Sequence, residues 1–153
     1  MNKEIIFTIP GEPQGKARAK TVRLKNGFSH SYTPEKSVSY ENLVKLCFQD
    51  VTGRDFLPMT GLFRVDIVAY MVPPASKPKT WTALALIERL IRPAKKPDWD
   101  NIGKIVCDAL NGIAYRDDSA IVDGRVRKYF SKQSRVEVRI LDITDFRDHW
   151  SSK

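Results

Sequence analysis

Residues 95–118 hold the densest chemistry in the chain: Lys95-Lys96-Pro97-Asp98-Trp99-Asp100-Asn101, then Lys104, then Asp117-Asp118. Acidic side chains are outnumbered here, 18 against 26 Lys plus Arg, so a local run of carboxylates stands out. A hard divalent cation such as Mg2+ takes oxygen ligands: one or two carboxylates, several waters and a substrate phosphate. Asp98, Asp100 and a carboxylate from Asp117-Asp118 could supply that set. A cation so held polarises a phosphoryl oxygen, orients or generates a hydroxide, and stabilises the leaving oxygen. Lys104, one helical turn after Asp100, could neutralise charge that builds in the transition state. Phosphodiester hydrolysis by this route needs no histidine or serine.

The same residues also have a plain structural reading. Asp98 or Asp100 could cap a helix, since acids near a helix N-terminus contribute about 0.3–1 kcal/mol. Asp100 and Lys104 could be an ordinary i, i+4 pair, contributing about 0.2–0.5 kcal/mol. Asp117-Asp118 could be a turn. Trp99 reads as a core anchor rather than a base-stacking residue. Asn101 could orient a carboxylate or extend the cap.

The surrounding composition favours the chemical reading. The 153-residue chain carries a net charge of +8, which suits a polyanionic partner. Its length fits one domain, and 42% hydrophobic residues are enough for a core. Cys47 and Cys107 lie far apart, with no second Cys or His at metal-ligand spacing. They read as buried free thiols, not as a zinc site or a disulfide framework. His30 and His149 are isolated. No apolar run reaches transmembrane length, and residues 1–9 show no cleavable signal pattern.

The elements that must position the acids follow from periodicity. Glu4 to Ile9 reads as a strand stopped by Pro10-Gly11. Residues 11–33 read as an extended basic loop with a turn at Asn26-Gly27, and Lys16, Arg18 and Lys20 alternate along it. Thr33-Pro34 opens a helix whose stripe is Tyr40, Leu43, Val44, Cys47, Phe48 and Val51, ended by Thr52-Gly53. Residues 62–72 read as a strand with Phe63, Val65, Ile67, Ala69 and Met71 on one face. A break at Pro73-Pro74 precedes a short helix over residues 80–92, an expected insertion at about 74–94. A second main helix runs from about Asp100 to Leu110 and stops at Asn111-Gly112. Trp99, Ile102, Ile105, Val106, Ala109 and Leu110 form its apolar side, with Asp100, Lys104 and Asp108 opposite. Asp98 falls in an extended lead-in, because Pro97 disfavours helix just before itself. Residues 120–129 and 135–143 read as a closing hairpin around Ser131-Lys132-Gln133-Ser134. The fold expected is a single α+β domain, a mixed β-sheet packed by two main helices.

These residues carry a resemblance. Lys96-Pro97-Asp98-Trp99-Asp100-Asn101, Lys104, Asp108-Ala109-Leu110-Asn111-Gly112 and Asp117-Asp118 resemble the RusA-type Holliday junction resolvases of bacteria and their phages. Pro10-Gly11-Glu12-Pro13, Lys16-Ala17-Arg18 and Tyr32-Thr33-Pro34 are similar too, so the likeness runs over residues 4–142. It implies a homodimeric, Mg2+-dependent endonuclease, with Mn2+ as an expected substitute, that nicks two like strands of a four-way DNA junction during recombination and repair. It places the metal carboxylates at Asp98, Asp100 and Asp118, and the catalytic lysine at Lys104. It implies a bacterial or phage-encoded protein working in the cytoplasm. Lys16, Arg18, Lys20, Lys95, Lys96, Arg125 and Arg127 are the candidate DNA phosphate contacts. Phe56, Leu57, Met59, Leu62 and Phe63 are apolar groups available to a dimer interface or to the core.

Three rivals remain. A non-catalytic basic DNA-binding module would use the acids only as caps and cut nothing. A restriction-type nuclease, hinted at by Pro97-Asp98, needs an acid-x-Lys pair on a following strand, and none occurs after Asp98. An RNA-processing enzyme differs only in substrate.

Overall fold

A computed structural model describes residues 3–144. In chain order the elements are β1 (Glu4–Pro10), β2 (Lys20–Arg23), β3 (Ser29–Tyr32), α1 (Glu35–Thr52), β4 (Phe63–Met71), α2 (Lys79–Leu86), α3 (Trp99–Ala109), β5 (Ile121–Phe130) and β6 (Arg135–Asp142). A short 3-10 turn, Asp118–Ala120, leads into β5. The architecture is a single α+β domain, with β1, β6, β4 and β5 in that order across a mixed sheet. β1 and β6 are antiparallel, as are β6 and β4, whereas β4 and β5 are parallel. A separate two-stranded ribbon joins β2 to β3.

β4 takes a central place because it has the most apolar sequence of the four strands. Phe63, Val65, Ile67, Ala69 and Met71 are all buried, and so is Tyr70. Register puts Ile5, Phe7 and Ile9 of β1 and Val136, Val138 and Ile140 of β6 on that same face. The helices cover it. α1 packs on β1 and α3, and α3 packs on β5. Tyr40, Val44 and Phe48 of α1 meet Ile102, Ile105 and Val106 of α3 in one buried cluster. Each such aliphatic or aromatic side chain contributes about 1.5–3 kcal/mol on full burial. A smaller cluster at the sheet end joins Met71, Ala85 and Phe130, with Trp81 of α2 against the Phe130 ring.

The closing hairpin is a correction. β5 and β6 do not pair with each other; β4 lies between them and bonds to both. Crossing two strand spacings takes about 10 Å, which four extended residues can span, so Ser131–Ser134 bridges over the end of β4. The Ser131 amide donates to the Met71 carbonyl at 2.9 Å, fastening that bridge to β4. A four-residue link therefore has the same local appearance whether its strands are neighbours or flank a third.

Other differences are smaller. The basic loop ends in the β2–β3 ribbon rather than staying irregular. α1 starts after Pro34, which occupies the cap position, and Val51 is exposed on its last turn. α2 stops at Leu86, well short of Pro93. Of the apolar residues available to an interface, Phe63 is fully buried, Phe56 and Met59 pack on the core, and Leu57 alone is strongly exposed. Cys47 and Cys107 are both free thiols. No helix among the described residues is long and apolar enough to cross a membrane. His149 lies outside the described residues, as does the polar C-terminal stretch beyond residue 144.

Candidate active site

Asp98 occupies the cap position of α3 in extended conformation, φ −69° and ψ 151°, yet its carboxylate accepts no capping hydrogen bond. Asp100 sits in the first turn. Among the described residues neither carboxylate has a hydrogen-bond or ion-pair partner. The helix end favours nearby negative charge through its unpaired N–H groups. These two acids are thus placed where anionic charge is tolerated and left open to solvent.

Lys104 follows Asp100 by one turn, and its ammonium lies 3.5 Å from Asp108 on the next turn. Lys16 reaches the same Asp108 carboxylate at 3.5 Å and also pairs with Glu41 of α1. Burial alone would lower the Lys16 pKa. The hydrogen bond and charge of Glu41, with those of Asp108, outweigh it and hold the ammonium above its ordinary range. Lys16, expected as a phosphate contact, is therefore engaged with two carboxylates inside the protein. Its backbone N–H donates to the Asn101 carbonyl at 3.2 Å, pinning the basic loop to α3. Gly15 makes that approach possible: a Cβ there would stand 3.1 Å from Pro97 Cβ and 3.2 Å from Asn101 Cβ.

The Asp117-Asp118 pair splits into two roles. Asp117 accepts from the Ser119 amide at 3.1 Å and caps the 3-10 turn, which holds its pKa below the usual value. The Asp118 amide donates to Asn111 Oδ1 at 2.8 Å, a bond that ties the loop to the end of α3. The Asp118 carboxyl is pushed up, first by burial, then by the charges of Asp108 and Asp117, with Lys104 offsetting part of the effect. Asp108 is thus a member of the acidic site that sequence reasoning left out of the ligand set. The signal was its i+4 spacing from Lys104 and i+8 from Asp100. Nearby Cys107 is no nucleophile, because burial pushes its thiol up to about 11.

The expected carboxylates do not all converge. Asp118 faces Asp108, and α3 rises about 12 Å between Asp100 and Asp108. Among the described residues no group of three or more Asp, Glu, His or Cys stands close enough to share one metal ion. Mg2+ needs only one or two protein carboxylates when water and phosphate complete its shell. The unpartnered oxygens of Asp98 and Asp100 match that requirement in chemistry and charge.

The candidate DNA contacts divide between faces. Lys95, Lys96 and Lys128 line an open groove of about 600 Å³ with Asp98, Trp99 and Asp100. The Lys128 ammonium donates to the Lys95 carbonyl, which holds the lead-in to α3 against β5. Arg18 and Lys20 are exposed on the basic loop. Arg125 and Arg127 alternate with Val126, which packs toward α3, so they lie on the opposite, helix-free face of the sheet. Trp99 corrects the expectation of a core anchor. It is 62% exposed in the groove, because the stripe it begins runs out past the core at the helix end and burial starts only at Ile102, one turn on.

The family model for endodeoxyribonuclease RusA matches residues 10–141. The chain is 37% identical over 141 residues to YqaN, an uncharacterised protein of Bacillus subtilis strain 168, covering 92% of this chain and 97% of that protein. The match takes in the acidic stretch, the helix that carries it and the sheet beneath, and the chain belongs to the RusA endodeoxyribonuclease family.

Proposed function

We propose that this protein is a Mg2+-dependent endonuclease that resolves four-way DNA junctions by paired nicks, acting as a homodimer in recombination and repair. One observation carries the reading: two carboxylates without a partner among the described residues, Asp98 and Asp100, open a helix at the edge of a lysine-lined groove, with Lys104 one turn on. Asp98 and Asp100 would hold the cation, and Asp118 would complete the acidic site beside Asp108, its pKa raised first by burial and then by the charges of Asp108 and Asp117. Bound Mg2+, or Mn2+ in its place, supplies Lewis-acid activation of the scissile phosphate. Lys104 stabilises charge developing on the phosphate oxygens. Asp108 holds the Lys104 ammonium on the helix face that carries Asp100. Lys95, Lys96 and Lys128 bind flanking phosphates and keep the backbone in the groove. The basic arm beyond Lys16 adds Arg18 and Lys20. Arg125 and Arg127, on the other sheet face, would serve a second duplex arm.

The test is incubation with synthetic four-way, linear and single-stranded DNA, in Mg2+ or in EDTA, with wild type and Asp100→Asn. Wild type should cut the junction in paired positions only with the metal. Asp100→Asn should bind the junction as well or better, since phosphate repulsion falls, and should not cut. A mutant cutting at the wild-type rate would make Asp100 a helix cap. Metal-independent binding with no cleavage of any substrate would leave a DNA-binding module.

A further inference from the structure

Among the described residues the β2–β3 ribbon pairs with no other strand. All eight of its strand residues are exposed. Its register is Lys20 opposite Tyr32, Thr21 opposite Ser31, Val22 opposite His30 and Arg23 opposite Ser29. The Leu24 amide continues the ladder, donating to the Phe28 carbonyl at 2.7 Å. Lys25-Asn26-Gly27 makes the turn, with Gly27 at φ 84° supplying the left-handed residue that a three-residue hairpin loop requires. Directly opposed residues share a face, and faces alternate along each strand. One face therefore carries Lys20, Val22, Leu24, Phe28, His30 and Tyr32, apolar but for Lys20 at its root and His30. The other carries Thr21, Arg23, Ser29 and Ser31, with Thr21 and Ser31 hydroxyls 3.1 Å apart.

The sidedness is that of a surface awaiting a ligand. Phe28 is 71% exposed, and Val22, Leu24 and Tyr32 are each more than 40% exposed. A lone hairpin is marginally stable in water, and among the described residues the apolar face of this one joins neither buried cluster. The charge around that face identifies its partner. No acid occurs between Glu12 and Glu35, and Arg18, Lys20, Arg23 and Lys25 have no ion-pair partner among the described residues. A second copy carries the same net +8 and the same acid-free basic ribbon, so pairing two of these faces sets like charges together. A polyanion does.

The root of the ribbon fixes which polyanion. The loop leading to it is pinned on α3, the helix that carries the acidic site, through Lys16 to Asn101 and Asp108, and on α1 through Lys16 to Glu41 and through the Ala17 amide to Ser37 Oγ at 3.1 Å. The ribbon is thus rooted beside the start of α3, where Gly15 and Lys16 line one cleft with Asp98 and Asn101. In linear duplex the faces of the bases are covered by their neighbours, and an apolar surface finds nothing to stack on. At a branch point or in a single strand those faces are open, and aromatic side chains bind them without regard to sequence.

We propose that the β2–β3 ribbon is a branch-recognition arm, in which Phe28, Leu24 and Tyr32 cover unstacked bases at the junction centre while Arg23 and Lys25 grip the adjoining phosphates. The proposal rests on the junction reading of the acidic site and supplies its selectivity for branched over linear DNA.

The test uses the full chain in EDTA, so that binding is read without cleavage. Fluorescence anisotropy compares a labelled four-way junction with a linear duplex of the same arm sequence. Phe28→Ala should weaken junction binding by about tenfold or more, the value of one base–aromatic stack, and leave duplex binding unchanged. Phe28→Tyr should retain the preference. Arg23→Ala with Lys25→Ala should weaken both substrates alike. A junction with 5-iodouracil at its branch point should photocross-link to residues 20–32, and one with the probe deep in an arm should not. If wild type prefers the junction but Phe28→Ala keeps that preference, or no such cross-link forms, the arm proposal falls while the nuclease reading stands. If wild type binds junction and duplex alike, both fall. If Phe28→Ala halves the sedimenting mass, the face is a subunit contact and the proposal is overturned.

Discussion

Lys16→Ala separates two roles that sequence alone leaves equivalent. If Lys16 is a phosphate contact, its loss costs DNA affinity and spares the fold. The geometry says the reverse. Its side chain is only 20% exposed and lies between Glu41 and Asp108, themselves 17% and 21% exposed. At 3.5 Å and an effective dielectric near 20, the attraction to Asp108 alone is roughly 5 kcal/mol before desolvation is charged against it. Desolvation of the ammonium removes much of that, and removing one partner from a partly buried charge set nets about 1–3 kcal/mol. Near 2 kcal/mol, the melting temperature of a chain this size should fall by about 4–8 °C. The pH dependence has a definite sign. Lys16 binds its proton more tightly in the folded chain than in the unfolded one, so its contribution is complete at neutral pH. It is lost as pH rises from the ordinary lysine value of 10.5 through the higher folded one. The assay pairs thermal melts at neutral pH with the salt dependence of junction binding in EDTA. Lys16→Ala should melt early and leave the log–log salt slope unchanged, whereas Lys20→Ala should melt normally and reduce the slope by about 0.9. A Lys16→Ala protein with wild-type stability and a reduced slope would refute the reasoning and return Lys16 to the DNA surface.

Two further predictions concern the proposed reaction. Lys104→Ala should lower the single-turnover cleavage rate on saturating junction by roughly 10²–10³-fold, with little change in affinity. A loss confined to affinity would make Lys104 a phosphate contact. One acidic site per chain supplies one nick, and a two-fold dimer matches the symmetry of a four-way junction. Sedimentation equilibrium should therefore give twice the chain mass, and a cruciform plasmid should be linearised within one binding event. A monomer throughout the micromolar range, with only nicked circles as product, would leave a simpler structure-selective nuclease.

Periodicity and turn chemistry alone determine α1, β1, β4 and α3 in this protein, because each buries one face and its apolar residues recur at that element's own period. The extended lead-in at Asp98 was legible for a similar reason: Pro97 restricts the backbone next to it, whatever the tertiary context. The stretch from Asp98 to Lys104 was legible as chemistry because a few acids were placed at helical spacing within a basic chain. Tertiary structure decided the rest. Strand order is set by which faces meet, so β4 separates β5 from β6 although four residues join them. Trp99 belongs by composition to the apolar stripe of α3, yet only the depth to which the helix end is sunk leaves it in the groove. Lys16 and Asp108 are far apart in sequence and meet through the fold of the basic loop onto α3. A charge shows its type in the sequence, but what neutralises it depends on neighbours that only the folded chain brings within a few ångströms.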